Sequence, residues 1–473
     1  MNLVTPYLQI FLLLIPWALT ALIINRLAIF SRSKRGYGSF NLGVSCYISQ
    51  FLMAGLIRVI DEAGQHWALR YCLIVLGLAT VALILKKISG LFSNKGKAPK
   101  FILDKSFSTM LVGAAVCSLT LSFSFMSLWL PSEAWDSLSY WNDIAVRYID
   151  FFGAQVTDPT GRSFPLTSRH PQLVMIMAAW PAWISATWET YSVTYAYWVF
   201  TWISAGFIVY GFSQWIGISR RISVLLGYGT LSIPLMENHA LLGGYADLHM
   251  AVGLLSACAV TAIGLDEQSS GKIALGVLLA LSVFALKNTG PFYGSLVIIA
   301  LVILRFPQNI ATRTVAGALV TISALIVING KALDLKIFDN PIYFDISSGI
   351  IVFAGRTLHF QYVEMQQIAY NIVTALFINS SFQLLGALII LGVLIGSRGL
   401  AGGGAALVLA VVTLGFVALL STQYTDYGLE HAQVGKDTGN SRFFLPIMIL
   451  IPLLIAYSAG LKNQRPSRKS AEP

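Results

Sequence analysis

Between residues 132 and 150 the chain carries acidic side chains at helical spacing, directly after a long apolar run. Asp143 lies four residues before Arg147 and Asp150 lies three residues after it, so these three can pair along one helix face. Asp136 has no basic residue at either spacing, and it lies near the predicted helix start, where the helix dipole keeps a carboxylate ionised. Such a carboxylate can accept a proton from a substrate hydroxyl. Asp136 is therefore a candidate general base, although a solvated aspartate on a surface helix has the same pattern.

The other side of this predicted helix is apolar and aromatic. Residues at steps of three or four form a single stripe there, which predicts an amphipathic helix lying at a membrane interface. The stripe consists of Trp135, Leu138, Trp141, Ala145, Tyr148 and Phe152.

Further ionisable residues recur at the ends of apolar runs. The stretch 235–255 contains Glu237, His239 and Asp247, and the stretch 285–294 contains Lys287. Lys287 is predicted either to snorkel to the membrane interface or to contact a phosphate group. Arg442 begins a further apolar run in the same way.

The composition sets the class of protein. Of the 473 residues 56% are hydrophobic and 11% are charged, and the mean hydropathy is +0.72, which excludes an ordinary soluble domain. Apolar runs long enough to cross a bilayer recur along nearly the whole chain. We predict an all-α, polytopic integral membrane protein with about 13 transmembrane helices, in the windows 7–27, 41–59, 70–86, 107–130, 191–213, 222–236, 247–264, 272–287, 291–306, 314–332, 371–396, 401–421 and 443–460.

The distribution of charge predicts the orientation of these spans. With the N-terminus outside and the C-terminus inside, most lysines and arginines face the cytoplasm, including the lysine-rich segment 86–105, and most carboxylates face outwards. The window 171–188 contains two prolines and is predicted to lie along the interface or to re-enter the membrane. The net charge of +10 then reflects topology, and no nucleic-acid partner is predicted. The four cysteines lie inside apolar runs, without metal-site spacing.

Three short motifs, in this order, resemble those of the GT-C superfamily of polyprenyl-phosphate-sugar glycosyltransferases, which includes protein O-mannosyltransferases and lipid A aminoarabinose transferases. They are WDSLSY at 135–140, GYADL at 244–248 and ALKNTG at 285–290. The resemblance covers roughly 107–334. It implies a GT-C-like catalytic membrane module there, with an outer loop 131–190. A three-helix extension, 1–106, precedes this module, and a variable membrane region, 335–473, follows it with outer loops 335–370 and 422–442.

The resemblance also implies roles for residues. Asp136 takes the role of the base, and Asp247 positions substrates or binds Mg²⁺ or Mn²⁺. The implied reaction moves a hexosyl or pentosyl group, with inversion, from a polyprenyl-phosphate donor to a lipid, glycan or protein acceptor on the outer face of a plasma or inner membrane. Cations are needed where the phosphate charge develops. The candidate substrate-binding residues are Tyr140, Arg169, His170, Glu237, Asp247, Lys287, Arg356 and Arg442.

Two other classes of protein remain open at this point. An O-antigen ligase or polymerase also uses lipid-linked sugars, and it would depend on outer-loop cations such as Arg356 and His359. A transporter or flippase of lipid-linked sugars would instead require ionisable residues in mid-span or matching broken helices.

Overall fold

The structure, a computed structural model, describes residues 4–26, 35–62, 173–174, 177, 181, 196–241, 245–287, 290–305, 333–337, 340–345, 350–353, 356–359 and 444–464. The described part is mainly helical. Its helices are α1 (Val4–Arg26), α2 (Tyr37–Glu62), α3 (Ala196–Trp215), α4 (Arg220–Leu231), α5 (Pro234–Leu241), α6 (Ala246–Asp266), α7 (Ser270–Ser282) with a 3-10 turn (Val283–Ala285), α8 (Gly290–Arg305), α9 (Leu445–Met448) and α10 (Ile451–Gln464).

The helices α2, α3 and α6 form the centre of a bundle. α2 runs antiparallel to α3: Gly36 before α2 lies beside Gly211 late in α3, whereas Gln50 further along α2 reaches Thr201 early in α3. A Cβ at Gly211 would stand 2.4 Å from the backbone nitrogen of Phe40. Glycine at this position therefore allows the two backbones to approach closely.

The bundle has two distinguishable ends. Trp198 at the start of α3 contacts Tyr245 just before α6, so these two helices begin at the same end. α7 runs back along α6, since Ile273 lies beside Gly264 near the end of α6 and Val283 lies beside Gly253 near its start. We call the end with the starts of α3 and α6 the Asp247 end.

The opposite end, which we call the Lys272 end, has its own charged contacts. Lys272 pairs with Glu267 and lies over the Trp215 ring, 5.4 Å from its centroid. The hydroxyl of Tyr457 on α10 donates a hydrogen bond to Asp266 Oδ1 at 2.9 Å. α10 therefore belongs to the same bundle as the helices predicted to form the catalytic module.

Two of the described helices, α3 and α6, are long and apolar enough to cross a membrane, with mean hydropathies of 1.2 and 1.9. They meet this criterion by length and composition alone. Most of the residues of both helices are buried inside the bundle. Leucines such as Leu52, Leu225 and Leu278 lie exposed on the outside of the bundle, where a bilayer would cover them. These observations support membrane association. The total of about 13 spans includes windows outside the described residues and stays a prediction.

The single helix predicted over 222–236 is wrong, because the chain is broken there between α4 and α5. Proline has no backbone N–H and fits the first position of a helix, so Pro234 separates the two. The Leu231 carbonyl at the end of α4 accepts a hydrogen bond from the Trp202 indole nitrogen at 2.9 Å. A backbone acceptor released by the break is thereby satisfied inside an apolar bundle.

The described chain also contains a four-stranded antiparallel sheet with the strand order β1-β2-β3-β4. The all-α prediction is confirmed for the bundle. The sheet was not predicted, because its residues were interpreted as part of an outer loop. The strands are β1 (Leu333–Ile337), β2 (Asn340–Asp345), β3 (Ile350–Phe353) and β4 (Arg356–His359).

Candidate functional site

A buried ion pair joins two of the residues predicted for the site. Lys287 Nζ lies 2.6 Å from Asp247 Oδ1, although 40 residues separate them in the chain. Asp247 lies in the first turn of α6, and Lys287 follows the 3-10 turn after α7. The Gly290 backbone nitrogen donates to the Lys287 carbonyl at 2.8 Å, which holds the chain in a turn at this point. The antiparallel packing of α6 and α7 therefore brings the two charges to the same end of the bundle.

The Asp247–Lys287 pair is buried at the start of α6. The side chains of Asp247 and Lys287 are only 2% and 11% exposed, so the pair is largely shielded from water. Asp247 lies where the α6 dipole stabilises negative charge, and the contact is a charge-assisted hydrogen bond. A snorkelling lysine places its ammonium group in water. The burial of Lys287 against Asp247 rules out that interpretation.

Aromatic rings on α3 and α5 contact Tyr245, the residue just before α6. The Trp198 indole nitrogen donates to the Tyr245 carbonyl at 2.9 Å, one residue before α6 begins. The His239 ring on α5 lies 5.1 Å from the Tyr245 ring, centroid to centroid, and His239 Nδ1 is 2.7 Å from the Leu235 carbonyl oxygen. These contacts fix the position of the segment that carries Asp247.

A polar network within the bundle was missed by the sequence analysis. His249 Nε2 lies 3.0 Å from Gln50 Oε1 and 3.2 Å from Thr201 Oγ1, and the Thr201 hydroxyl lies 2.7 Å from the Tyr197 carbonyl. Since the Gln50 oxygen only accepts, we assign the hydrogen of the neutral His249 ring to Nε2. The network links α2, α3 and α6 at His249, two residues after Asp247. The sequence did contain a sign of this network, because Gln50 and His249 are polar residues inside apolar runs.

Glu237 lies on α5, on the same short helix as His239. Its side chain is half-buried, and this burial raises the pKa of the Glu237 carboxyl above its ordinary value. Glu237 is thus placed on an element that contacts the start of α6 through His239.

Of the other residues named in the sequence analysis, only Arg356 and His359 lie in the described part of the chain. Arg356 begins β4, and His359 ends the same strand. Residues three apart in a strand lie on opposite faces of the sheet. Arg356 and His359, the two residues named for the ligase alternative, therefore lie on opposite faces of the sheet. The residues Asp136, Tyr140, Arg169, His170 and Arg442 lie outside the part of the chain that the structure describes.

A divalent cation at Asp247 can be tested against its surroundings. Among the described residues, no group of three His, Cys, Asp or Glu side chains could hold a metal ion. The Asp247 carboxylate contacts the Lys287 ammonium group, and a cation on the same carboxylate would face that positive charge. The described residues therefore do not fit Mg²⁺ or Mn²⁺, whereas Lys287 itself provides positive charge.

No protein-family model, curated protein or solved structure matches this chain. The likeness to GT-C glycosyltransferases rests on the three short motifs alone. Two of those motifs, GYADL and ALKNTG, supply Asp247 and Lys287.

Proposed function

We propose that this protein is a membrane glycosyltransferase that moves a sugar from a polyprenyl-phosphate donor to an acceptor hydroxyl. The observation that supports this proposal is the Asp247–Lys287 pair at one end of the bundle. Lys287 Nζ donates to Asp247 Oδ1, so a carboxylate holds the ammonium group at this end of the bundle. Its positive charge can there stabilise the charge of a lipid phosphate.

The chemistry needs a base and positive charge, and the chain has candidates for both. Asp136 takes the proton from the acceptor hydroxyl, whose oxygen attacks the anomeric carbon opposite the phosphate. The bond from that carbon to the phosphate oxygen breaks, which inverts the anomeric centre. Lys287 and Arg442 stabilise the negative charge that develops on the leaving prenyl phosphate. A phosphate is already a stable leaving group, so no strong general acid is required.

Lys287→Met is expected to weaken the binding of undecaprenyl phosphate by about 10- to 100-fold, the usual worth of a hydrogen bond to a charged group. This probe is the product common to all undecaprenyl-phosphate donors, so the sugar need not be known. Binding is measured by titration of the purified full-length protein in nanodiscs.

Lys272→Met is the matched control for this measurement. Lys272 is also a buried lysine paired with an acid, but it lies at the opposite end of the bundle. It should leave undecaprenyl phosphate binding unchanged, and Lys287→Arg should retain part of it. Equal losses from Lys287→Met and Lys272→Met would show that Lys287 has no part in phosphate binding.

The Asp247 end should face the outside of the cell, and the Lys272 end should face the cytoplasm. Single cysteines at Asn238 on α5 and at Arg221 on α4 report on the two ends, since both residues are exposed. In intact cells a membrane-impermeant maleimide should label position 238 and not position 221. The reverse labelling would contradict both the predicted topology and the outer location of the site.

A further inference from the structure

The helix α2 contacts both α6 and α7, the two helices whose packing brings the charges of the buried ion pair together. Its residues Tyr47 and Gln50 are 0% and 2% exposed, so both side chains lie inside the bundle. Gln50 contacts His249 on α6, and Tyr47, about one helical turn away from Gln50, contacts the end of α7. The predicted extension 1–106 therefore contains a helix that touches both halves of the candidate site.

One hydrogen bond joins α2 to the end of α7. The Tyr47 hydroxyl lies 2.8 Å from the Oγ of Ser282, the last residue of α7. Ser282 Oγ also lies 2.7 Å from the Leu279 carbonyl oxygen, which accepts its single hydrogen, so the Tyr47 hydroxyl is the donor to Ser282. Ser282 lies five residues before Lys287, 287 − 282. Tyr47 thus fixes the end of the helix that leads to Lys287.

The Tyr47 side chain also lies against α6. A Cβ added at Gly253 on α6 would stand 2.6 Å from the Tyr47 hydroxyl oxygen and 3.0 Å from Val283 Cγ2, in the 3-10 turn after α7. Glycine at position 253 therefore allows α2, α6 and the 3-10 turn to meet at one point. This point lies six residues from Asp247, 253 − 247, or about 9 Å along the helix.

Gln50 holds α6 closer to Asp247. The Nε2 atom of His249 lies 3.0 Å from Gln50 Oε1, and His249 follows Asp247 by two residues. Two residues correspond to about 200° around a helix, so His249 and Asp247 lie on opposite sides of α6. Because a hydrogen bond is directional, the bond between His249 and Gln50 limits rotation of α6 about its axis. Such a rotation would move Asp247 relative to Lys287.

We propose that α2 is a clamp that sets the distance between Asp247 and Lys287, with Tyr47 and Gln50 as its positioning residues. Satisfied polar contacts inside a bundle specify one packing of the helices around them, and a buried ion pair is favourable only when its geometry is good. The consequence for phosphate binding rests on the proposed function, in which Lys287 meets the lipid phosphate. A displacement of about 1 Å at such a group can cost on the order of 100-fold in rate.

Tyr47→Phe tests the clamp with a small change, because it removes one oxygen and keeps the ring. Tyr457→Phe is its matched control, since Tyr457 is also buried and its hydroxyl donates to Asp266 at the opposite end of the bundle. Unfolding in mixed micelles measures the coupling between Lys287 and Asp247, through Lys287→Met, Asp247→Asn and their double variant. This cycle is measured in the wild-type, Tyr47→Phe and Tyr457→Phe proteins.

A second pair of variants repeats the comparison at a glutamine. Gln50→Leu removes the contact with His249. Gln214→Leu is its control, because Gln214 is a buried glutamine on α3 that donates to the Ile218 carbonyl and to Ser223 Oγ at the opposite end of the bundle. The same cycle of Lys287 and Asp247 variants is measured in both proteins.

We expect the coupling between Asp247 and Lys287 to fall by about half in the Tyr47→Phe and Gln50→Leu proteins, because a lengthened contact keeps its Coulomb attraction but loses its hydrogen bond. The coupling should keep its wild-type value in the Tyr457→Phe and Gln214→Leu proteins, although each of these also loses a buried hydrogen bond. Unchanged coupling in Tyr47→Phe and Gln50→Leu would overturn the proposal. Equal losses in the two control proteins would overturn it too.

Binding of undecaprenyl phosphate in nanodiscs separates the clamp from the proposed function. Tyr47→Phe should weaken this binding by about threefold to tenfold, which is less than the loss from Lys287→Met. Tyr457→Phe should leave it unchanged. Lower coupling with unchanged binding would support the clamp and contradict the proposed role of Lys287 at the phosphate. Unchanged coupling, together with weaker binding by Lys287→Met, would overturn the clamp and leave the proposed function in place.

Discussion

Asp136→Asn is expected to lower sugar transfer by about two to four orders of magnitude, which is the usual worth of a positioned general base. The substitution keeps the size and most of the hydrogen bonding of the side chain, but it removes the basic carboxylate. Folding should be retained, because an interfacial aspartate without a helix-spaced partner contributes little to stability. The measurement is kcat/KM for release of undecaprenyl phosphate from a labelled donor, together with thermal unfolding of both proteins.

Asp143→Asn is the matched control, since Asp143 lies on the same predicted helix two turns further along. Its assigned role is to pair with Arg147, and such a helix pair contributes only about 0.3–0.5 kcal/mol. Transfer should therefore change little. If both variants lost transfer equally, or if Asp136→Asn transferred at nearly the normal rate, the helix would be an amphipathic anchor and not the source of the base.

Long apolar runs made the helices of the bundle predictable. The bounds of the windows 7–27, 41–59 and 247–264 each fall within four residues of those of α1, α2 and α6, because an uninterrupted run of this length has few alternatives to a helix. The breaks were harder to predict. Pro234 gave a visible signal, but whether a proline ends a helix or only bends it depends on packing, here on the hydrogen bond from Trp202 to Leu231.

The site was predictable only in part. The alternation of charged loops and spans predicted that Asp247 and Lys287 share an end of the bundle, and the structure places them together. That they form an ion pair depends on the antiparallel contact of α6 and α7, which no local pattern encodes. The partners of His249 likewise come from two other helices, so its spacing in the chain could not reveal Gln50 or Thr201.

The sheet had a local signal that the helical prediction outweighed. The segments LDLKI and PIYFD alternate apolar and polar residues at a period of two for most of their length, which is the pattern of a half-buried strand. Both segments lie in a stretch interpreted as a polar outer loop. The high hydropathy of the chain as a whole favoured an all-α fold. The short alternating pattern of these strands was therefore not used to predict a sheet.

Lys287→Met is expected to lower the free energy of unfolding by about 3–5 kcal/mol, the cost of leaving one charge of a buried pair behind. The Asp247 carboxylate would then lie beside an apolar side chain in a site where its own exposure is 2%. The double variant Lys287→Met/Asp247→Asn should recover most of this loss, because neither charge remains to be buried. Unfolding in mixed micelles, followed for the wild type, both single variants and the double variant, measures the coupling between the two residues.

A measurement of sugar transfer shows whether the Asp247–Lys287 pair has a functional role or only a structural one. The double variant should be nearly as stable as the wild type and still fail to transfer sugar, because the ammonium group needed at the phosphate is gone. The matched double variant Lys272→Met/Glu267→Gln removes the ion pair at the other end of the bundle, in which only the lysine is buried, and should keep transfer. A stable Lys287→Met/Asp247→Asn protein with near-normal transfer would make the pair a structural contact, and the phosphate would have to bind to other cations.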